Sequence, residues 1–358
     1  MSVNLTASIG VDSITNIVSF NMRAGRSTKS EIFQPGGASF TVRNPSSLPA
    51  GLVLGSTPFV NIDGYVQFSG AVINIEYNYG IIAAMDTATI TMEGALASIG
   101  RGQLSGFTLS GGTTGAEASR IGLALTGTGK TVASSGTRSL TNNSTTYTGA
   151  ALNMFQTLVA MEQGRIQEAA GALRFYGRDV TQDPTAFPYG YSNWYMTDST
   201  SDTTGVHYDN VVFGSLTDNY YTQVQITPDG LATQIAGTGD RNLTMSTYDV
   251  NTTQGANLAS YMLSEFDTST SVPVSISTTS AMVNGSVGAL MIGEAPVRWQ
   301  LPIVFRGTTY NSVIEGYSVS ATPEMVRYTF DVSGFEQNNF LVLDDSVYGR
   351  LDYNNLSF

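Results

Sequence analysis

The chain contains no cysteine, so neither a disulfide framework nor a thiolate metal site is open to it, and packing must hold the fold. It has a single histidine, His207. Cys–His nucleophilic catalysis is thereby excluded, and any Ser–His–Asp triad would have to use that one ring. Charge is sparse too: 12% of the residues are Asp, Glu, Lys or Arg, against roughly 25% in ordinary soluble domains. The 16 basic residues are outnumbered by 28 acidic ones, for a net charge of −12. Nucleic-acid affinity rests mainly on Lys and Arg neutralising phosphates, so a phosphate-gripping groove is not expected, although a weakly repelling surface beside passing DNA is compatible with this balance. Long apolar runs are also missing. No stretch is long and apolar enough to span a bilayer, and residues 1–15 lack a basic region followed by an apolar one. The expectation is a soluble protein made without export and without a membrane-spanning segment.

What is present points to strands. With 358 residues, 41% of them hydrophobic, the chain can form two cores or one core with a large insertion. Its polarity comes from Gly, Ser, Thr, Asn and Tyr, which favour turns and half-buried strands over exposed helices. Strict alternation marks several strands, because successive side chains point to opposite faces of a sheet. Ala38, Phe40 and Val42 alternate with Ser39 and Thr41. Ile73, Ile75 and Tyr77 alternate with Asn74 and Glu76, and Ala88, Ile90 and Met92 alternate with Thr89 and Thr91. A second such region starts at Val224 and Ile226 and ends with Val326, Tyr328, Phe330 and Val332. The predicted fold is mainly β: two antiparallel β-domains at 1–105 and 216–335, an α+β insertion with short helices and hairpins at 106–215, and a C-terminal tail at 336–358.

Leu152, Phe155, Leu158 and Val159 recur at helical spacing between a predicted N-cap, Thr148, and a predicted stop, Gly164. Leu258, Ala259, Met262, Leu263 and Phe266 form one apolar stripe after Asn251, Thr252 and Thr253, predicting one helix within the second β-domain. The Gly-, Ser-, Thr- and Asn-rich stretch 126–147 reads as a loop.

The order of these motifs resembles that of the hub, or tail-associated minor tail, proteins of long-tailed bacteriophages. The likeness is carried by Ser19–Ser27, Phe33–Ala38 and Val42–Asn44 as strand, glycine turn and strand, and by Phe68-Ser69-Gly70 as the next strand. It continues with Glu162–Arg165 and Gly171–Arg178 as helix end and hairpin, the helix Ala256–Phe266, and the ending Leu343–Asp352. The resemblance implies tube-like β-domains and a homotrimer with six similar β-domains. Its implied role is to join a sixfold tail tube to a threefold tip and to line or gate the DNA exit path during genome ejection. The partners it implies are distal tail ring and tail tube proteins, a tape-measure protein, and a tip fibre or receptor-binding protein. DNA would pass through the lumen without specific binding, and the location would be the virion tail tip, assembled in the host cytoplasm. Members of that family often carry C-terminal fibre or peptidoglycan-cutting modules; with this chain read to Phe358, such parts would sit on another protein.

Chemistry-bearing patterns are weak. Gly127-Thr128-Gly129-Lys130-Thr131 is like a phosphate-binding loop, but Ala124 stands where the earlier glycine is required, and Ala118–Leu125 reads as a helix where a strand should precede it. Asp198, Asp202 and Asp209 lie near His207 without the spacing of an established ligand motif, so a solvated loop is expected, with oxygen-ligated calcium as the alternative. Asp344 and Asp345 read as a polar turn. No catalytic residue, metal ligand or cofactor is assigned. Tyr189, Tyr191, Trp194 and Tyr195 form an aromatic cluster suited to an interface, to local packing or to stacking on sugars. Phe340, Leu343, Tyr348, Leu351 and Phe358 give the tail enough apolar surface to dock on a partner. The rival reading is a carbohydrate- or receptor-binding β-sandwich module of a virion or cell surface, with a carboxylate glycosidase as a third possibility.

Overall fold

The computed structural model describes residues 3–28, 31–125, 132–134, 136–140, 146–169, 172–177, 195–203, 205–214, 220–266, 272–280 and 301–334. The chain opens with β1 (Leu5–Ile9), β2 (Asp12–Ile14), β3 (Ile17–Gly25), β4 (Gln34–Arg43), β5 (Phe59–Ile62), β6 (Tyr65–Ser69), β7 (Ala71–Asn78) and β8 (Thr87–Glu93). Helices α1 (Ala95–Gly100), α2 (Thr114–Ala124) and α3 (Ala151–Glu162) follow, interleaved with β9 (Gln103–Phe107), β10 (Val132–Ser134) and β11 (Tyr147–Ala150). Next come β12 (Arg165–Ala169), β13 (Ala172–Tyr176), β14 (Met196–Thr197), β15 (Val206–His207) and β16 (Asn210–Gly214). Then β17 (Gln223–Pro228), β18 (Gln234–Gly237), β19 (Asn242–Thr247) and α4 (Thr252–Phe266) lead to β20 (Val272–Thr279), β21 (Ile303–Phe305), β22 (Thr308–Tyr310), β23 (Ser312–Ala321) and β24 (Val326–Gly334). The fold is mainly β, as the alternation predicts.

Its centre is an eight-stranded antiparallel sheet in the order β16-β20-β24-β23-β3-β4-β8-β7. This sheet is two copies of one pattern. Ranked by chain position within each group of four, β3-β4-β8-β7 reads first, second, fourth, third, and so does β16-β20-β24-β23. The third-ranked strand bulges at the same place in both. Ile73 is the extra residue between the pairs Val72–Met92 and Asn74–Thr91, and Glu315 is the extra residue between Ile314–Val332 and Gly316–Asp331. The two repeats join where β23 pairs with β3.

One face of the sheet is buried. Phe20, Phe40, Ile90, Tyr328 and Phe330 share a continuous core with Leu5, Ala7, Val60 and Ile62 of the four-stranded sheet β2-β1-β5-β6 and with Leu96, Phe155 and Leu158 of α1 and α3. A separate small core forms where Leu258, Ala259 and Met262 of α4 pack on Val224 and Ile226 of the sheet β18-β17-β19. The strand begun at Val224 and Ile226 therefore lies outside the eight-stranded sheet.

Local differences from the sequence reading have physical reasons. Helix α3 starts at Ala151 with Ala150 as N-cap, because Thr148 is used by β11, which pairs with β9. It ends through Gln163 in the left-handed region, and the Gly164 N–H bonds back to the Val159 carbonyl. Part of the stretch expected to be a loop, Val132–Ser134, is a strand that completes the β12–β13 hairpin by pairing in parallel with β13. The apolar side of β7 is covered only in part: Ile75 packs against the core, whereas Ile73, the bulge residue, is 46% and Tyr77 47% exposed at the sheet's edge. The stretch Gly127–Thr131 lies outside the described residues; the element before it, α2, is a helix.

Candidate assembly surface

Residues directly opposite one another in a sheet point to the same face. Following the pairs across the eight strands gives the row Asn210, Ser277, Thr329, Ser318, Arg23, Gly37, Glu93 and Ala71. The adjacent row runs Thr279, Arg327, Ser320, Asn21, Ser39, Thr91 and Asn74. The face turned away from the core is thus small, hydroxylated and nearly free of net charge. Within these two rows the arginines are paired, Arg23 with Asp331 at 2.8 Å and Arg327 with Asp209 at 2.5 Å, while Arg43, farther along β4 on the same face, is exposed. Burial pushes the Asp331 carboxyl up, and the neighbouring Arg23 guanidinium pulls it the other way.

Among the described residues the sheet is open, ending in β7 and β16. Beyond β7 the connection to β8 is apolar and exposed: Tyr79 is 78%, Ile81 100% and Met85 62% accessible. At the other edge Val212 is 44% exposed, and Phe213 packs against Phe305 and Tyr310 with ring centroids 5.0 Å away in each case. Unpaired strand edges with exposed apolar side chains are aggregation liabilities unless something covers them.

The rest of the molecule is pinned to this sheet by buried carboxylates. Glu315, fully buried, accepts from Arg26 Nε at 2.7 Å, Arg165 Nη2 at 2.9 Å and Ser333 Oγ at 2.6 Å. Desolvation drives its carboxyl upward, but the two arginines and the serine outweigh it and hold the group at about 2. Backbone approach permits this arrangement: a Cβ on Gly25, whose φ is +91°, would lie 2.5 Å from the Glu315 carbonyl oxygen. Three residues beyond Arg165 on β12, Glu168 accepts the Gly36 N–H at 2.8 Å and the Leu96 N–H at 3.3 Å. The unit built on α4 is tied in turn by Arg138, whose Nε lies 2.7 Å from Asp249 Oδ1, and by Tyr147, whose ring meets Tyr248 edge-on at 5.3 Å.

The carboxylates near His207 are engaged separately. Asp198 accepts the Arg306 N–H at 2.9 Å, Asp202 accepts from Tyr195 Oη at 2.5 Å, and Asp209 accepts from Ser277 Oγ at 2.6 Å. His207 Nε2 lies 2.7 Å from the Asp202 carbonyl oxygen. Among the described residues, no three His, Asp or Glu side chains gather in a way that could hold a metal ion. A cleft of about 420 Å³ between the β3–β4 connection, α3 and β19 is lined by Arg26, Phe33, Val159, Leu243 and Met245 among others. Of the aromatic cluster, Tyr195 is placed as above; Tyr189, Tyr191 and Trp194 lie outside the described residues, as do Phe340, Leu343, Tyr348, Leu351 and Phe358. Sequence reasoning did not single out Glu315, Arg26, Arg165 or the β16 edge. The one signal for the edge was the apolar run Val211-Val212-Phe213 in a chain otherwise rich in alternation.

Among the described residues the sheet is thus open, built of two matched four-strand repeats, with one polar face and two edges that pair with no further strand. Neither a protein-family model nor a curated protein sequence matches the chain. Solved structures do. The chain is similar to a tail protein from Neisseria meningitidis MC58, with a TM-score of 0.64 at 11% identity over 93% of this chain and 97% of that one. It is also similar to the 43 kDa tail protein of prophage MuSo2 from Shewanella oneidensis, with a TM-score of 0.62 at 11% identity over 92% and 98%. A third likeness is to an Escherichia coli component of the type VI secretion system, itself described as structurally similar to the bacteriophage T4 tail proteins gp27 and gp5. Here the TM-score is 0.52 at 12% identity, over 92% of this chain and 77% of that one. The chain has the fold of these phage tail proteins.

Proposed function

We propose that the chain is a structural, non-enzymatic component of a bacteriophage tail, acting at the tail tip as a baseplate hub. The observation that carries this reading is the tandem repeat. In each copy the third-ranked strand of one repeat, β23, pairs with the first-ranked strand of the other, β3, while among the described residues the equivalent strands β7 and β16 stay free at the outer edges. Alternation of strand direction along the sheet makes β7 antiparallel to a β16 brought beside it, so copies can join head to tail and close into a ring. Three copies supply six similar units, which matches a sixfold tube above to a threefold tip below. The two β-domains of each chain are then tube-like in the assembly, the second taking in β16 (Asn210–Gly214), with the α+β insertion between them at one end of the ring.

The polar rows support a role in lining the DNA path. Among the described residues, a lumen face of Ser, Thr and Asn on which Arg23 and Arg327 are paired and Arg43 stands apart from them offers no cluster of free cations to hold phosphates, and the net charge of −12 repels them weakly. DNA would pass without specific binding. The partners are a distal tail ring or tail tube protein on one side and a tip fibre or receptor-binding protein on the other, with the tape-measure protein in the lumen. The tail 336–358 and the aromatic residues at 189–195 supply further docking surface. Mass measurement on assembled tails tests the reading: three copies per particle support it, and six copies in a strictly sixfold ring assign the chain to a distal-tail ring instead.

A further inference from the structure

We infer that the two edges left free among the described residues join in one defined register, with Tyr79 opposite the partner's Val211 and Tyr77 opposite the partner's Phe213. This rests on the head-to-tail ring proposed above and adds to it the contact by which copies recognise each other.

The register follows from the repeat. On the core face, the row Phe20, Phe40, Ile90 and Ile75 crosses the first repeat, and Val211, Ile276, Phe330 and Tyr317 crosses the second. The bulges at Ile73 and Glu315 fall two residues before Ile75 and Tyr317, so the two rows are equivalent. Counting along the strands, Tyr77 corresponds to Val319, Tyr79 to Ala321, Val211 to Phe20 and Phe213 to Met22. Within the chain, β23 meets β3 with Ala321 opposite Phe20, Ser320 opposite Asn21 and Val319 opposite Met22. Carrying those three pairs to the outer edges places Tyr79 opposite the partner's Val211, Asn78 opposite the partner's Val212 and Tyr77 opposite the partner's Phe213.

The side chains at the edges suit this pairing. The Tyr77 and Tyr79 rings are already stacked, with centroids 6.4 Å apart and planes 12° from parallel. At the other edge, Phe213 is the centre of an aromatic group with Phe305 and Tyr310. Edge-to-edge docking brings the two groups together on the core side, where aromatic pairs contribute beyond their buried area. On the opposite face Asn78 meets the partner's Val212, whose exposed side chain the contact covers. Val319 and Ala321, the inner-junction counterparts of the two tyrosines, are buried; the tyrosines are not.

The absence of cysteine makes the test direct. The full chain carrying Asn78→Cys and Val212→Cys is concentrated and either oxidised or treated with a short bismaleimide, and products are resolved by denaturing gel and mass. Positions 78 and 212 lie at opposite edges of one sheet, so a link between them joins two copies. The expected result is covalent dimers and trimers at least ten-fold more abundant than in a control pairing Asn78→Cys with Asn210→Cys, which is shifted by two residues. A trimer that links through the 78–210 pair, or through neither pair, overturns the register and leaves the ring reading standing. A chain that stays monomeric at every concentration overturns the ring reading and the register with it.

Discussion

Arg165 Nη2 lies 2.9 Å from Glu315 Oε1, joining the hairpin β12–β13 to the central strand β23 across 150 residues of sequence, with both side chains buried. Arg26 grips the other carboxylate oxygen from the end of β3, so one carboxylate ties together both repeats and the insertion. Removing one member of a buried ion pair leaves the others charged and unpaired. Glu315→Ala is therefore expected to lower stability by about 3–5 kcal/mol, measured by urea denaturation. A loss under about 1 kcal/mol would show that this junction does not hold the parts together.

The same carboxylate sets an acid limit. Its folded value, about 2, lies below the roughly 4.3 of an unfolded glutamate. A depressed carboxyl contributes stability that is complete above the unfolded value and is lost as pH falls toward the folded one. The contribution, on the order of 3 kcal/mol, should be constant above pH ~5 and disappear between about pH 4.5 and 2. Glu315→Gln should flatten that part of the stability–pH curve; an unchanged curve contradicts the assignment.

Much of the fold could be read from the chain because one face of the central sheet is buried and the other polar. Strands β4, β8 and β24 show that contrast residue by residue. The reading fails where tertiary pairing overrides local preference. Thr148 looks like a helix cap but sits in a strand because β9 lies beside it, and β7 alternates like a half-buried strand although Ile73 and Tyr77 are exposed at the edge of the sheet among the described residues. The Glu315 cluster left no local trace, since Arg26 and Arg165 lie 289 and 150 residues away in sequence. The repeat was visible only as two β-regions of similar length and pattern; the shared strand order and matched bulges are properties of pairing.

Tyr77→Asp with Tyr79→Asp places charge on the free edge without touching the core. The subunit should keep its circular dichroism spectrum and lose no more than about 1 kcal/mol of stability, yet fail to form multimers by light scattering. Multimers of undiminished affinity would remove β7 from the interface.

His207→Ala should leave assembly and infectivity close to those of the parent. The ring makes one hydrogen bond, to the Asp202 carbonyl, a contribution of about 1 kcal/mol. Loss of a polymer-degrading activity in this variant, with folding intact, would identify the chain as an enzyme.

Deleting residues 340–358 should give a folded, soluble subunit that does not join the tail tip, scored by unfolding midpoint and by incorporation into particles. If the deletion unfolds the isolated subunit, the segment belongs to its own core and not to a docking surface.

The central claim, that two matched repeats per chain build a six-unit ring from three copies, is tested most directly by electron microscopy of assembled tails reconstructed without imposed symmetry. The account predicts a closed ring of three copies and twenty-four strands, eight from each chain, with the polar rows facing a lumen and β7 of each copy beside β16 of the next. A ring with one copy at each of six equal positions, or a particle in which these edges face solvent, would contradict it.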